Sequence, residues 1–184
     1  LGTFASQVRI DARLLVRIPA NMSFAEAATL PLTYLTALYA FQELGSLRAG
    51  EKVLIHAAAG GVGLAALQLA QYLGAEVYGT ASPAKWDLLR SYGLDDAHIA
   101  SSRDLGFASK FPRMDVVLNS LAREYVDASL DLLAPGGRLL EMGKTDVRDP
   151  AALAVSHPGI RYTSFDLLNL PAEHRFNAGF NFTA

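Results

Sequence analysis

An α/β fold, with a doubly wound parallel six-stranded sheet in the order 3-2-1-4-5-6 and helices on both faces, is what this 184-residue sequence predicts. Three observations predict it. From residue 52 onward, short strand-like runs alternate with stretches of helical spacing. The run "MDVVLNSL" is apolar on both alternate faces, as a strand covered by helices on each side requires. Finally, the strand-like "VLIH" leads into a loop nearly devoid of side chains, "AAAGGVG", before helical spacing resumes.

Residues 4–18, "FASQVRIDARLLVRI", read as an extended arm ending at Pro19. Ser23 and Glu26 have Ser-x-x-Glu capping-box spacing, which predicts a short helix at that point. Pro31 suits the first turn of a longer helix, with Leu32, Leu35, Leu38 and Tyr39 on one face and a stop near Gly45. Strands are expected at 52–56, 76–80, 97–100, 115–119, 138–142 and 160–165, where apolar residues cluster in short runs. Helices are expected at 63–73, 84–92 and 123–133, with a short one near 150–155. There is no internal repeat or low-complexity tract. The expected organisation is an arm over 1–22, a nucleotide-binding domain over 23–170 and an atypical tail over 171–184.

Composition narrows the function. With 51% hydrophobic and 18% charged residues, the chain suits one globular domain with a sizeable core. A net charge of −2 provides no broad basic footprint, so neither nucleic acid nor an anionic membrane is expected as a partner. Cysteine is absent, which excludes disulfides and thiolate metal sites. His98, His157 and His174 are too scattered to suggest zinc, so no metal is expected. Arg9, Arg13 and Arg17 interrupt the first residues, leaving no signal-peptide core. The apolar stretch "LPLTYLTALYAF" falls short of the roughly 20 residues that cross a bilayer. A cytoplasmic location is expected. The opening Leu1 suggests a piece of a longer protein.

The small-residue loop points to a dinucleotide. In a doubly wound sheet, ligands bind at the carboxyl ends of the strands, where strand order reverses. The fingerprint G-x-G-x-x-G needs a tight turn, a close backbone approach to pyrophosphate and close helix–strand packing. Ala58, Gly60 and Gly63 occupy those positions as an A-x-G-x-x-G variant, and the amides at the start of the following helix, around Gly61–Leu64 and so including Val62 and Gly63, would face the anion. Plain packing is the alternative reading of the same small residues. The second strand then indicates which nucleotide is bound. A carboxylate at its end would bind both ribose hydroxyls, as NAD requires. Here the strand ends in Thr80-Ala81-Ser82 with Lys85 following, and Arg103 lies just past the third strand. Hydroxyls and cations suit a 2′-phosphate, so NADPH is the expected cofactor, although Lys85 also reads as a solvated charge in a helix's first turn. Asn119 and Ser120, after the fourth strand, can hydrogen-bond the nicotinamide ribose or simply make a turn. His56, ending a buried strand, reads as a satisfied core or loop histidine rather than a catalyst.

Beyond this pattern, several segments carry a specific resemblance. They are "DARLLVRIP", "HAAAGGVGLAALQLAQYLGAEVYGTASPAKWDLLRSYGLDDAHIASSR", "DVVLNSLA", "LLAPGGRLLEMGKTDVRDP" and "HPGIRYTSFDL", spread over residues 9 to 167. The sequence resembles the nucleotide-binding part of an enoyl reductase domain of a type I polyketide synthase. Its wider group is the zinc-free, quinone-reductase-like branch of the medium-chain dehydrogenase/reductase superfamily. Two departures stand out: "KFPRMDVV" is shorter than the family's glycine-rich approach to the fourth strand, and the tail "PAEHRFNAGFNFTA" does not match. The resemblance also implies a substrate-binding domain, most of which would precede residue 1.

The resemblance implies NADPH-dependent conjugate reduction: hydride to the β-carbon of a trans-2-enoyl thioester on acyl carrier protein, then a proton to the α-carbon. It implies catalytic contributions from Lys144 of "EMGKTD" and Asp166 of "FDL", with Gly143 beside the nicotinamide. A carboxylate next to the lysine would favour the charged amine. The alternatives are a structural ion pair, a Gly143-Lys144 turn that only shapes the pocket, and proton donation by a tyrosine of the other domain. Other domains of the parent synthase are expected partners. A homodimer is expected through the sixth strands near 161–165, with Ile160, Tyr162 and Phe165 supplying the buried contact. Rival functions are a free-standing NADPH quinone oxidoreductase and a nucleotide-binding or dimerisation module inactive by itself. A methyltransferase fits less well, because it would need an acid after the second strand.

Overall fold

Six parallel strands form one sheet in the order β3-β2-β1-β4-β5-β6. They are β1 Lys52–Ile55, β2 Glu76–Ala81, β3 Ile99–Ser101, β4 Met114–Asn119, β5 Leu133–Glu141 and β6 Arg161–Ser164. The computed structural model describes residues 5–12 and 15–167, so the tail 171–184 lies outside the described residues. Strand order reverses between β1 and β4, the crevice at which the expected ligand binds.

Alternate residues of each central strand feed different helical layers. Val53 and Ile55 of β1, with Val116 and Leu118 of β4, pack beneath α2 (Gly61–Tyr72) and α3 (Trp86–Ser91). Leu54, Val117 and Leu139 face the other way, onto α4 (Gly106–Lys110) and α5 (Glu124–Leu132). All seven of these strand residues are fully buried. At about 1.5–3 kcal/mol for each large apolar side chain, this two-sided burial holds the sheet together and explains why the strands read as apolar runs.

The capping box at Ser23 is present, with Glu26 N–H donating to the Ser23 hydroxyl and the Ser23 amide to Glu26 Oε2 at 2.8 Å. Its helix does not stop before Pro31. A single helix, α1, runs Phe24–Leu38 with Pro31 inside it, and a π-helical turn continues over Tyr39–Leu44. Proline removes one amide from the ladder. Around that gap the Thr29, Thr33 and Thr36 hydroxyls donate to carbonyls three or four residues back. The described parts of the arm before Ser23 contain no strand.

The connection from β3 to β4 carries a helix that the strand pattern did not reveal, α4, held in place by the fully buried Phe107. Five residues suffice, because the connection is itself short. The last helix, α6, spans Pro150–Ser156 and is capped by Asp149. At the amino edge, opposite the crevice, Arg138 grips Glu51 with two hydrogen bonds of 3.0 and 2.6 Å. Among the described residues, no helix is long and apolar enough to cross a membrane.

Candidate functional site

The loop from β1 to α2 has the shape its glycines imply. Ala57 adopts the left-handed conformation at φ 51°, and its carbonyl accepts the Gly60 amide at 2.8 Å. At the third fingerprint position, a Cβ on Gly63 would lie 2.4 Å from the Ala57 oxygen and 2.6 Å from the Ala58 Cα. No side chain fits there, so α2 can pack directly onto the strand exit. The first position tolerates alanine for a reciprocal reason. Ala58 is buried against β2, where a Cβ on Gly79 would come within 2.9 Å of the Ala58 methyl.

Gly60 differs from Gly63. Its backbone is extended (φ −90°, ψ 173°), and an added Cβ would meet only the Ala57 oxygen, at 3.2 Å. What a side chain would fill is the space in front of α2. The amides of Gly61, Val62 and Gly63 open a 12-residue helix and have no partner within it. Open space, free amides and the positive end of the helix dipole together fit a dinucleotide's pyrophosphate.

At the end of β2 there is no carboxylate from Gly79 to Lys85. The first acid beyond, Asp87, lies in α3 and pairs with Arg90 at 2.5 Å. Trp86 donates its indole N–H to the Ala81 carbonyl at 3.1 Å, fixing the turn that exposes Lys85. Ser82 follows β2 and Arg103 follows β3, which is paired with β2, so both leave the sheet at neighbouring strand ends. Thr80 does not join them. It is fully buried, and its hydroxyl is engaged inside the fold.

His56 is the reason. It too is fully buried, with Nδ1 2.9 Å from Thr80 Oγ1 and Nε2 2.8 Å from Ser129 Oγ. Ser129 donates its proton to the Tyr125 carbonyl at 2.6 Å, so it must accept from His56 Nε2–H. Thr80 accepts the Ala57 amide and donates to Nδ1. Every proton in this chain has one place to go. Burial pushes the imidazole down to about 3, which keeps it neutral. The expectation of a satisfied, non-catalytic core histidine agrees with this geometry, and the network ties β1, β2 and α5 together beneath the loop.

On the far side of the crevice, Asn119 is fully buried as well. Its amide donates to the Leu121 carbonyl at 2.8 Å and to Glu141 Oε2 at 2.5 Å, and its oxygen accepts the Leu121 amide at 3.2 Å. Those bonds organise the turn that carries the half-buried Ser120. Glu141 was not singled out from the sequence. A lone acid ending the apolar run "RLLEM" was the available signal. Only 1% exposed, it also accepts the Gly143 amide at 2.6 Å, and burial raises its carboxyl to about 7.

Lys144 and Asp166 meet at the same edge. Lys144 Nζ lies 2.7 Å from Asp166 Oδ2, the lysine side chain 67% exposed and the aspartate 23%. They follow β5 and β6, so the structure brings this pair, the Asn119 turn and the glycine loop to the carboxyl edge of one sheet. The edge strand β6 is also as expected in position. Ile160 and Tyr162 pack half-buried on the core of one face, and the half-buried Phe165 packs on the other, its ring 6.0 Å from that of Tyr39.

Residues 61–173 match the family described as zinc-binding dehydrogenase. Polyketide synthase GfsB of Streptomyces halstedii is 61% identical over 166 residues, which cover 90% of this chain and 3% of that protein. The CurK enoyl reductase structure superposes with a TM-score of 0.83 at 48% identity, over 86% of this chain and 49% of that one. The nucleotide-binding subdomain of the enoylreductase domain of PpsC from Mycobacterium tuberculosis gives 0.68 at 41% identity, over 78% and 87%. The chain thus spans a small part of the synthase and about half of the CurK reductase. Among the described residues, a zinc site does not fit. The sequence has no cysteine, and among the described residues no three His, Asp or Glu are gathered as metal ligands.

Proposed function

This chain belongs to the enoyl reductase domains of type I polyketide synthases, within the medium-chain dehydrogenase/reductase superfamily, and on that premise we propose that it is the NADPH-binding half of a reductase acting on enoyl thioesters. As an oxidoreductase-family domain, it needs a nicotinamide site and a means of polarising its substrate. The observation that carries the proposal is the Lys144–Asp166 pair, held at 2.7 Å on the sheet edge that also bears the glycine loop.

The chemistry that bound NADPH supplies is hydride delivery to the β-carbon of a trans-2-enoyl thioester. The amides of Gly61, Val62 and Gly63 hold the diphosphate at the start of α2. Ser82, Lys85 and Arg103 receive the 2′-phosphate where β2 and β3 end without a carboxylate. Ser120 and Gly143 border the nicotinamide end, between the β4 and β5 turns. Lys144 Nζ, steered by Asp166, donates a hydrogen bond to the thioester oxygen as charge develops there, or a proton to the α-carbon. The acyl group arrives on a carrier protein, and the remaining wall of its pocket comes from the substrate-binding domain of the reductase.

The test is single-turnover reduction of a trans-2-enoyl pantetheine thioester by the polypeptide carrying this domain, with NADPH and NADH compared. Consumption of NADPH with saturation of the double bond supports the proposal. Cofactor oxidation only with quinones would replace it by the quinone oxidoreductase reading.

A further inference from the structure

Three turns carry the candidate residues on the far side of the crevice, and all three converge on one buried residue, two on its side chain and one on its main chain. Glu141 ends β5 opposite Asn119 of β4 in the strand register. Its Oε2 receives the Asn119 amide at 2.5 Å, and through Asn119 it fixes the turn bearing Ser120. Its Oε1 receives the Gly143 amide at 2.6 Å, one residue before Lys144. Its main-chain oxygen receives the Phe165 amide at 3.0 Å, one residue before Asp166. The approach at Gly143 is so close that a Cβ there would lie 2.7 Å from Glu141 Oε1.

We propose that Glu141 is a positioning residue, whose two carboxylate oxygens lock the β4 and β5 turns together and so aim Lys144 at the substrate. The inference rests on the reductase reading above and deepens it. Lys144 is mostly exposed, so little besides its backbone and Asp166 directs it. The Gly143 bond is what fixes that backbone.

The clip requires a carboxylate, which Glu141, raised by burial to about 7, presents once ionised above that value. Two N–H donors point at the two oxygens, so each oxygen must accept. Glutamine offers one acceptor and one donor and would set an N–H against an N–H. Asn119 cannot relieve the clash by flipping, because its amide and its oxygen are both engaged by Leu121. One of the two turns must then come loose.

The experiment compares wild type, Glu141→Gln, and the double variant Glu141→Gln with Asn119→Asp, in the polypeptide that carries the domain. In the double variant the new Gln amide can donate to the new carboxylate, while its oxygen keeps Gly143. Expected for Glu141→Gln is a fall in kcat of about 10-fold or more, since a misplacement of about 1 Å can cost up to 100-fold. The KM for a trans-2-enoyl pantetheine thioester and the Kd for NADPH should stay within about threefold, and the double variant should recover part of the lost kcat. In parallel, the Gly143 amide proton is followed by NMR in the 184-residue chain. It should resonate downfield in wild type and lose that shift in Glu141→Gln. A lowered melting temperature with unchanged kcat would overturn the proposal, as would an unmoved Gly143 resonance. Wild-type protein that binds NADPH yet never reduces the thioester would overturn the reductase reading, and with it the catalytic purpose of the clip; the Gly143 signal identifies that case separately.

Discussion

Acidification should expose the buried histidine. His56 sits in a closed chain of hydrogen bonds in which each hydroxyl proton is already committed, and no acidic group faces its ring. A second ring proton would have to displace the Thr80 proton and be buried as a charge. Its ordinary value of 6.5 is therefore lowered to about 3 in the folded chain. Between those values the unfolded chain takes up a proton that the folded chain refuses, so stability falls as pH falls. The slope is about 1.4 kcal/mol per pH unit. From pH 6.5, where half of the unfolded chains already carry the proton, to pH 4.5 the loss from His56 comes to about 2 kcal/mol, or about 4–8 °C in Tm for a domain of this size.

The matching perturbation is His56→Gln, which keeps one acceptor for Thr80 and one donor for Ser129 but cannot titrate. Thermal melts of both proteins across pH 4.5–7.5 isolate the effect in their difference, and other titrating groups cancel. Glu141 is one such group. Raised from 4.5 to about 7 by burial and nearby Asp146, against the pull of Asn119, Gly143 and Arg148, it makes stability fall as pH rises over that window. Wild type should therefore lose ground to His56→Gln as the medium is acidified. A Tm difference that stays constant over the whole range would refute the buried-neutral assignment.

Gly60→Val should abolish NADPH binding while circular dichroism remains native, because the site has an extended backbone and opens onto the ligand space; normal affinity in a folded variant would remove the loop from the site. Lys85→Ala should weaken NADPH by about 1.5–3 kcal/mol, the range of a charge-assisted bond, and leave NADH unchanged, as read by calorimetry. Lys144→Ala, in the polypeptide carrying the domain, should lower kcat and kcat/KM for the enoyl thioester together, with the NADPH Kd little changed. If chains pair through β6, Ser164→Pro should shift sedimentation at micromolar concentration from dimer to monomer. The Phe165 amide points at β5, so by alternation the outward donors are those of Tyr162 and Ser164 rather than Arg161 and Thr163. A dimer indifferent to Ser164→Pro would place the interface elsewhere.

The sequence alone determined what depends on neighbours along the chain. Alternating apolar runs and helical spacing indicated a parallel sheet, because strands buried on both faces leave an unbroken apolar signature, and the doubly wound fold type then supplied the strand order. The A-x-G-x-x-G spacing and the missing acid after β2 are equally local features, and the proposed NADPH site rests on them. Pro31 misled because helix continuity was decided by tertiary packing, with Ala37, Ala40 and Phe41 buried in the core beyond it, rather than by the proline's own preference. Only the tertiary structure decided which polar groups work together. Thr80 reads as a ligand contact until His56, 24 residues away, is seen to take its hydroxyl, and Ser129 closes the chain from a helix 73 residues from that histidine. Glu141 and Asn119 are 22 residues apart and meet because β4 and β5 align side by side. A buried polar group must find a partner, and pattern along the chain says nothing of which strand will supply it.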